Sequence, residues 1–241
     1  MGYKEADIYP YSVSDLSHSD ALVIAPHPDD ESIGCGGSIV KHVKAGSRVK
    51  VIFLTDGNEG DFESRFGADY VNIRRKSAEK AMDVLGVRDY EFWCYADRGV
   101  AQSADEIERR LQAVMGSFSP SLVYAPSPYE VHPDHRASFN AVWRAARKME
   151  VAPALYEVLM ALYPNTLVDI TNEMDVKKEA VRCYHTELSY NDYLRKVEGL
   201  NRFRTATLPG DVQYAEGLIL IRPAERKDDK VPGFIGVVPE E

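Results

Sequence analysis

Ala21-Leu22-Val23-Ile24-Ala25 runs directly into Pro26-His27-Pro28-Asp29-Asp30-Glu31, so an apolar stretch ends abruptly in a cluster of reactive side chains. Five apolar residues, two of them β-branched and the last followed by Pro26, read as a strand buried on both faces. Gly37 to Ala45 then carries helical periodicity, and Gly46 stands where a left-handed residue ends a helix. The alternation returns three times. Val49 to Leu54 precedes a helical segment from Val71 to Leu85 that stops at Gly86, Tyr90 to Tyr95 precedes Ala104 to Phe118, and Ser121 to Ala125 precedes Asp134 to Met149. Strands alternating with helices predict an α/β fold with a mostly parallel sheet covered on both faces.

Outward from this core the pattern loosens. Beyond about Val151 it predicts a strand at Ala154 to Leu159, a helix from about Asp175 to Leu188 and a strand at Gly217 to Ile221, an irregular C-terminal part. Residues 1–20 read as an N-terminal extension, residues 21–222 as one domain, and residues 223–241, charged and bearing Pro and Gly, as a tail or strap.

The 241 residues are 44% hydrophobic and 28% charged, enough apolar content for a sizeable core. Twenty-nine basic residues against 38 acidic ones give a net charge of -9, which disfavours nucleic acid and anionic lipid as partners. Apolar runs fall far short of the roughly 20 residues of a membrane span. Met1 to Asp7 has acids and no apolar segment, unlike a secretory signal, so a cytoplasmic location is expected. Cys35, Cys94 and Cys183 are widely spaced and odd in number, which suits a reducing compartment and offers no thiolate metal cage.

A second cluster, Glu130-Val131-His132-Pro133-Asp134-His135, follows the fourth predicted strand. In the common doubly wound strand order 3-2-1-4-5, strands one and four are neighbours, and their C-terminal ends flank the topological switch point. The two clusters then face each other. His27, Asp30, His132 and His135 offer nitrogen and oxygen donors of the kind zinc takes, and three ligands plus a water make a hydrolytic rather than a structural site. If three of the four bind metal, the fourth and Asp29 remain for acid and base work. A His-x-x-His or a few acids at a helix start is unremarkable alone; the conjunction of two clusters is what points to a site.

Gly34-Cys35-Gly36-Gly37, with Asp56 about twenty residues on, invites a dinucleotide-binding reading. The third glycine of that pattern is replaced by Ile39, and Asp29, Asp30 and Glu31 stand where a pyrophosphate must approach. The glycines are read instead as close packing of the first helix, and Cys35 as a small buried residue.

Ala25 to Glu31 with Gly36-Gly37, and later His132-Pro133-Asp134-His135, resemble the two characteristic motifs of the LmbE-like, or PIG-L, de-N-acetylase family over roughly residues 21–149. The resemblance implies a Rossmann-like three-layer sandwich and zinc-dependent removal of acetyl groups from N-acetylglucosamine-type sugars, another divalent metal such as Fe2+ being the alternative cofactor. It implies His27, Asp30 and His135 as ligands, Asp29 as general base, His132 as an imidazolium that steadies the oxyanion, and Asp134 as the partner orienting a neighbouring histidine. Arg74 and Asp97 resemble substrate-contacting positions. The chain also departs from the family pattern: Ser77 replaces a common Glu, Thr55 to Gly60 departs from the Thr-x-Gly-Glu run, and Glu130 stands where some relatives use Tyr, which removes one candidate oxyanion donor.

The expected activity is therefore deacetylation of a small-molecule sugar or sugar conjugate. Hydrolysis of another N-acyl or amide substrate is the alternative within enzymes; a non-catalytic sugar-binding module and a nicotinamide-dependent oxidoreductase are the alternatives outside it. His18, His42 and His185 lack ligand spacing and are expected at the surface or hydrogen-bonded. A homo-oligomer is compatible with the sequence.

Overall fold

The computed structural model describes residues 4–225. Seven strands, β1 (Ala21–Ala25), β2 (Val49–Thr55), β3 (Asp89–Tyr95), β4 (Leu122–Pro126), β5 (Ala152–Tyr156), β6 (Thr166–Asp169) and β7 (Ala215–Leu220), form one sheet in the order β3-β2-β1-β4-β5-β7-β6. The pairings of β1 with β2 and β4, of β2 with β3 and of β4 with β5 are parallel, whereas β7 runs antiparallel between β5 and β6. The expected 3-2-1-4-5 order is present, with β7 and β6 added at one edge.

Two-residue periodicity sorts the side chains of β1 between two cores. Ala21, Val23 and Ala25 join α1 (Asp30–Lys44), α2 (Tyr70–Leu85), α5 (Met174–Cys183) and α7 (Tyr193–Phe203) on one face. Leu22 and Ile24 join α3 (Ala104–Phe118) and α4 (Pro133–Met149) on the other. A sheet between two helical layers is the three-layer sandwich the sequence predicts.

The first helix begins at Asp30, seven residues before the expected start, because tertiary packing overrides the poor helix propensity of its glycines. A Cβ on Gly34 would lie 2.2 Å from Tyr156 Cδ2, and one on Gly37 would lie 2.6 Å from Ile170 Cγ2, so α1 approaches the sheet as closely as only glycine permits. Cys35, fully buried, bends the helix with φ −138° and ψ 23°, and burial pushes its thiol pKa well up. The segment expected as one helix from Asp175 to Leu188 breaks at Tyr184 into α5 and the short α6 (His185–Leu188). The strand expected at Ala154 to Leu159 is shifted to β5, since residues from Val158 onward turn away to bond Glu130.

The extension is tied to the domain: Ser14 N–H donates to Leu167 O at 2.7 Å, and the rings of Tyr9 and Tyr163 meet edge to face at 5.9 Å. Of the expected tail, residues 226–241 lie outside the described residues. Among the described residues no helix is long and apolar enough to cross a membrane.

Candidate active site

β1 and β4 lie side by side, so the loops at their C-terminal ends meet at the switch point. His27 leaves β1, Asp30 opens α1, and His135 sits in the first turn of α4 behind Pro133, whose missing N–H costs nothing there. His27 Nδ1 is 3.2 Å from Asp30 Oδ2 and 3.3 Å from His135 Nε2, and Asp30 Oδ2 is 3.2 Å from His135 Nε2. This triangle fits a metal. Bonds of about 2.0–2.1 Å to a tetrahedral zinc place its donors about 3.3 Å apart, and two imidazole nitrogens facing each other beside a carboxylate require a cation or a proton between them. Asp30 is held as a carboxylate, far below the usual range, because His135 and His27 outweigh its burial. Burial opposes protonation of His135, yet Asp30 and Glu130 raise it to about 9. The same negative field favours a divalent cation in place of protons.

His27 turns its other nitrogen away from the triangle. Nε2 lies 3.3 Å from Asp97 Oδ1 and 3.4 Å from Asp134 Oδ2, so it donates to carboxylates while Nδ1 stays free for a ligand bond. Asp134 is fixed in turn by the backbone N–H groups of Arg98 at 2.6 Å and Val100 at 3.2 Å. His135 Nδ1 faces Glu130 Oε2 at 3.4 Å, and Glu130 accepts the N–H groups of Val158, Leu159 and Met160. Where the sequence reading sees in Glu130 only the loss of a tyrosine, the structure places a buried carboxylate behind His135, one corner of the triangle. His135 is only five residues away, but the N–H groups that hold the Glu130 carboxylate in place lie at residues 158–160, out of reach of any local signal.

Asp29 stands beside the triangle rather than in it. Its φ of 133° lies in the positive region that non-glycine residues avoid, a strain of the kind found at functional sites. The fully buried Glu31 holds this conformation: Oε2 accepts the Asp29 N–H at 3.1 Å, while Oε1 accepts from Tyr184 Oη and from Ser32 Oγ, both at 2.6 Å. Burial drives the Asp29 carboxyl well above the usual carboxylate range, Arg74 opposing and Asp30 and Glu187 adding to the shift. Two adjacent carboxyls are thus pushed in opposite directions, Asp30 toward the ionised form that a metal ligand needs and Asp29 toward the range in which a carboxyl exchanges a proton.

His132 caps α4, its Nδ1 accepting the Asp134 N–H at 3.2 Å. Burial, together with the charges of His27 and His135, lowers its pKa. With Nδ1 accepting, the ring turns Nε2 away from the helix cap as its free edge. Arg74 is buried: its Nη2 is 3.6 Å from Asp29 Oδ1 and bonds the Pro28 carbonyl, its Nε is 3.2 Å from Glu187 Oε1, and its Nη1 donates to Gly57 O at 3.1 Å. It therefore lines the cavity with its donors directed at the protein. Asp97 lines the same cavity, accepting the Glu59 N–H at 3.0 Å, and contact with His27 helps hold its pKa down at about 2 against its burial. Glu187, Tyr190 and Tyr193, from the segment least regular in sequence, complete the wall with Phe62 and Leu159.

The PIG-L family model, whose description is GlcNAc-PI de-N-acetylase, matches residues 22–146, more than half of the chain and both clusters. The chain belongs to the PIG-L family. It is 30% identical over 201 residues to the diacetylchitobiose deacetylase of Thermococcus kodakarensis, covering 73% of this PIG-L chain and 75% of that protein. The structure resembles that of the N,N'-diacetylchitobiose deacetylase from Pyrococcus horikoshii, with a TM-score of 0.72 and 26% identity over 87% of this chain and 88% of that one. A 4-carboxy-2-hydroxymuconate hydratase from Pseudomonas putida shares the fold at a TM-score of 0.70 and 23% identity, covering 87% of this chain and 99% of that one. The fold alone thus does not decide the chemistry; the side chains of the site must.

Proposed function

We propose that the protein is a zinc-dependent hydrolase that removes the acetyl group from an N-acetylglucosamine-type sugar or sugar conjugate. The observation that carries this reading is the triangle of His27 Nδ1, Asp30 Oδ2 and His135 Nε2, with Asp29 beside it in one cavity. Kinship with the diacetylchitobiose deacetylases supports the substrate class.

Held by His27, Asp30 and His135, zinc supplies Lewis-acid polarisation and acidification of water. Asp29, oriented by Glu31 and Arg74, takes the proton of the attacking water as the new bond to the acetamide carbon forms. His132, neutral and capped at Nδ1, offers Nε2–H to the carbonyl oxygen as negative charge develops there. When the carbon–nitrogen bond breaks, Asp29 returns the proton to the departing amine, giving acetate and a free amino sugar. Asp134 and Asp97 fix the face of His27, and Glu130 fixes that of His135; these are positioning roles.

The test is incubation with N-acetylglucosamine and N,N'-diacetylchitobiose, reading acetate and free amine. Release of both products in equal amounts, abolished in Asp29→Ala with zinc content unchanged, is expected. Sugar binding with no acetate released by any preparation would instead favour a binding module, and turnover confined to unrelated N-acyl compounds would favour another amidase.

A further inference from the structure

Phe62 is the most exposed large apolar side chain among the described residues at 68%, and it stands at the mouth of the catalytic cavity. Its ring lies 4.3 Å from that of Tyr190, centroid to centroid, with the planes tilted by 42°. The pair is held in place. Asp61 accepts the Tyr190 hydroxyl at 2.7 Å and the backbone N–H groups of Arg65, Phe66 and Gly67, so the loop carrying Phe62 folds around one carboxylate bonded to the far wall. Arg65 closes the clamp: its Nη1 donates to Ser189 O at 3.0 Å, and its guanidinium sits over the Tyr190 ring at 4.4 Å. Asp61 and Arg65 thus spend their polar groups on the loop, while Phe62 is presented outward.

We infer that Phe62, backed by Tyr190, forms a stacking platform for a second pyranose ring, linked to the acetamido sugar that reacts. This rests on the deacetylase reading, which places the reacting amide beside Asp29 and directs whatever is attached to that sugar toward the cavity mouth. A pyranose presents a face of C–H groups with partial positive charge, which suits the negative face of an aromatic ring, and polar edges, which suit the flanking Glu59 and Asn191. An acyl chain would need a continuous apolar trough, which these polar neighbours interrupt. An anionic aglycone would find Glu59 beside the platform and Arg65 already paired with Glu63 at 2.6 Å, leaving Arg98 as the exposed cation of the cavity lining.

The test compares kcat/KM for N,N'-diacetylchitobiose and N-acetylglucosamine in the wild type, Phe62→Ala and Phe62→Trp. In Phe62→Ala the disaccharide-to-monosaccharide ratio of kcat/KM is expected to fall about five- to tenfold, through KM, with Phe62→Trp restoring it. An unchanged ratio overturns the platform, as does a wild-type preference for phosphate- or carboxylate-bearing conjugates over the disaccharide. If the wild type turns over neither sugar, the deacetylase reading fails, and calorimetric binding decides the platform separately. Tighter binding of disaccharide than monosaccharide, lost in Phe62→Ala, upholds it; equal or no binding of the two sugars overturns it.

Discussion

Replacing Asp29 with asparagine removes a proton acceptor while changing little else. The carboxylate is not a corner of the metal triangle; its charged neighbour is Arg74 at 3.6 Å, and its backbone is anchored by Glu31 rather than by its own side chain. Arg74 keeps Glu187 at 3.2 Å and the Gly57 and Pro28 carbonyls, so it is not stranded. A positioned general base contributes about a hundred- to ten-thousandfold, which at 1.36 kcal/mol per decade is about 3–5 kcal/mol of transition-state stabilisation. Burial penalises the Asp29 charge, so a neutral amide of the same shape should leave thermal stability equal or higher. The assay pairs acetate release with elemental analysis of zinc and a melting curve. Expected are a kcat lower by that factor, zinc content as in the wild type, and no loss in Tm. Activity within tenfold of the wild type at full zinc occupancy would refute the assignment of Asp29 as the base, and loss of zinc would show that Asp29 is a ligand after all.

Three further outcomes follow from contacts elsewhere. Glu130→Gln should weaken zinc about 10–100-fold in competition with a chromophoric chelator, because it weakens the acceptor behind His135 Nδ1; unchanged affinity would remove Glu130 from the site. Lys177 Nζ meets Glu216 Oε1 at 2.6 Å with both side chains buried, so Lys177→Met should cost about 3–5 kcal/mol in urea denaturation by leaving a buried charge unpaired. A variant as stable as the wild type would show that the Gly37 and Ser38 donors suffice for Glu216. His42, between Tyr124 Oη at 2.9 Å and Ser17 O at 3.2 Å, is held by burial below its ordinary 6.5. The unfolded chain therefore binds a proton that the folded one refuses: the contribution is whole above about pH 6.5 and is lost as pH falls below it, by up to about 1.4 kcal/mol per unit. Stability measured from pH 7.5 to 5.5 should fall more steeply in the wild type than in His42→Gln, and parallel curves would contradict this.

The sheet and the meeting of the two clusters were legible because they depend on local signals. Short continuous apolar or β-branched runs mark β1 to β4, and Gly46 and Gly86 adopt the positive φ of 79° and 78° that their positions after apolar-periodic segments imply. The glycines of α1 were legible as packing, though not the start of the helix, since only Tyr156 and Ile170, distant in sequence, reveal why glycine is needed there. β6 has four residues and is defined by antiparallel pairing with β7, so it produces no clear period, whereas α7 does carry one, Tyr193, Leu194, Val197 and Leu200 falling at helical spacing, which the sequence reading left unused. At the site, the carboxylates and histidines were legible from their types and spacing. The residues that orient them were not: Glu130, Glu187 and Tyr184 act through contacts spanning from five to more than 150 positions. The cap that His132 makes on α4 was not legible either, since it depends on Nδ1 accepting the Asp134 N–H.

Anomalous diffraction at the zinc edge, from crystals of protein never exposed to chelator, addresses the metal most directly. A single peak about 2.0–2.2 Å from His27 Nδ1, Asp30 Oδ2 and His135 Nε2 is predicted, and it should vanish in His135→Ala. A map with no peak inside that triangle, or with the ion lodged instead between Asp97 and Asp134, would contradict the account.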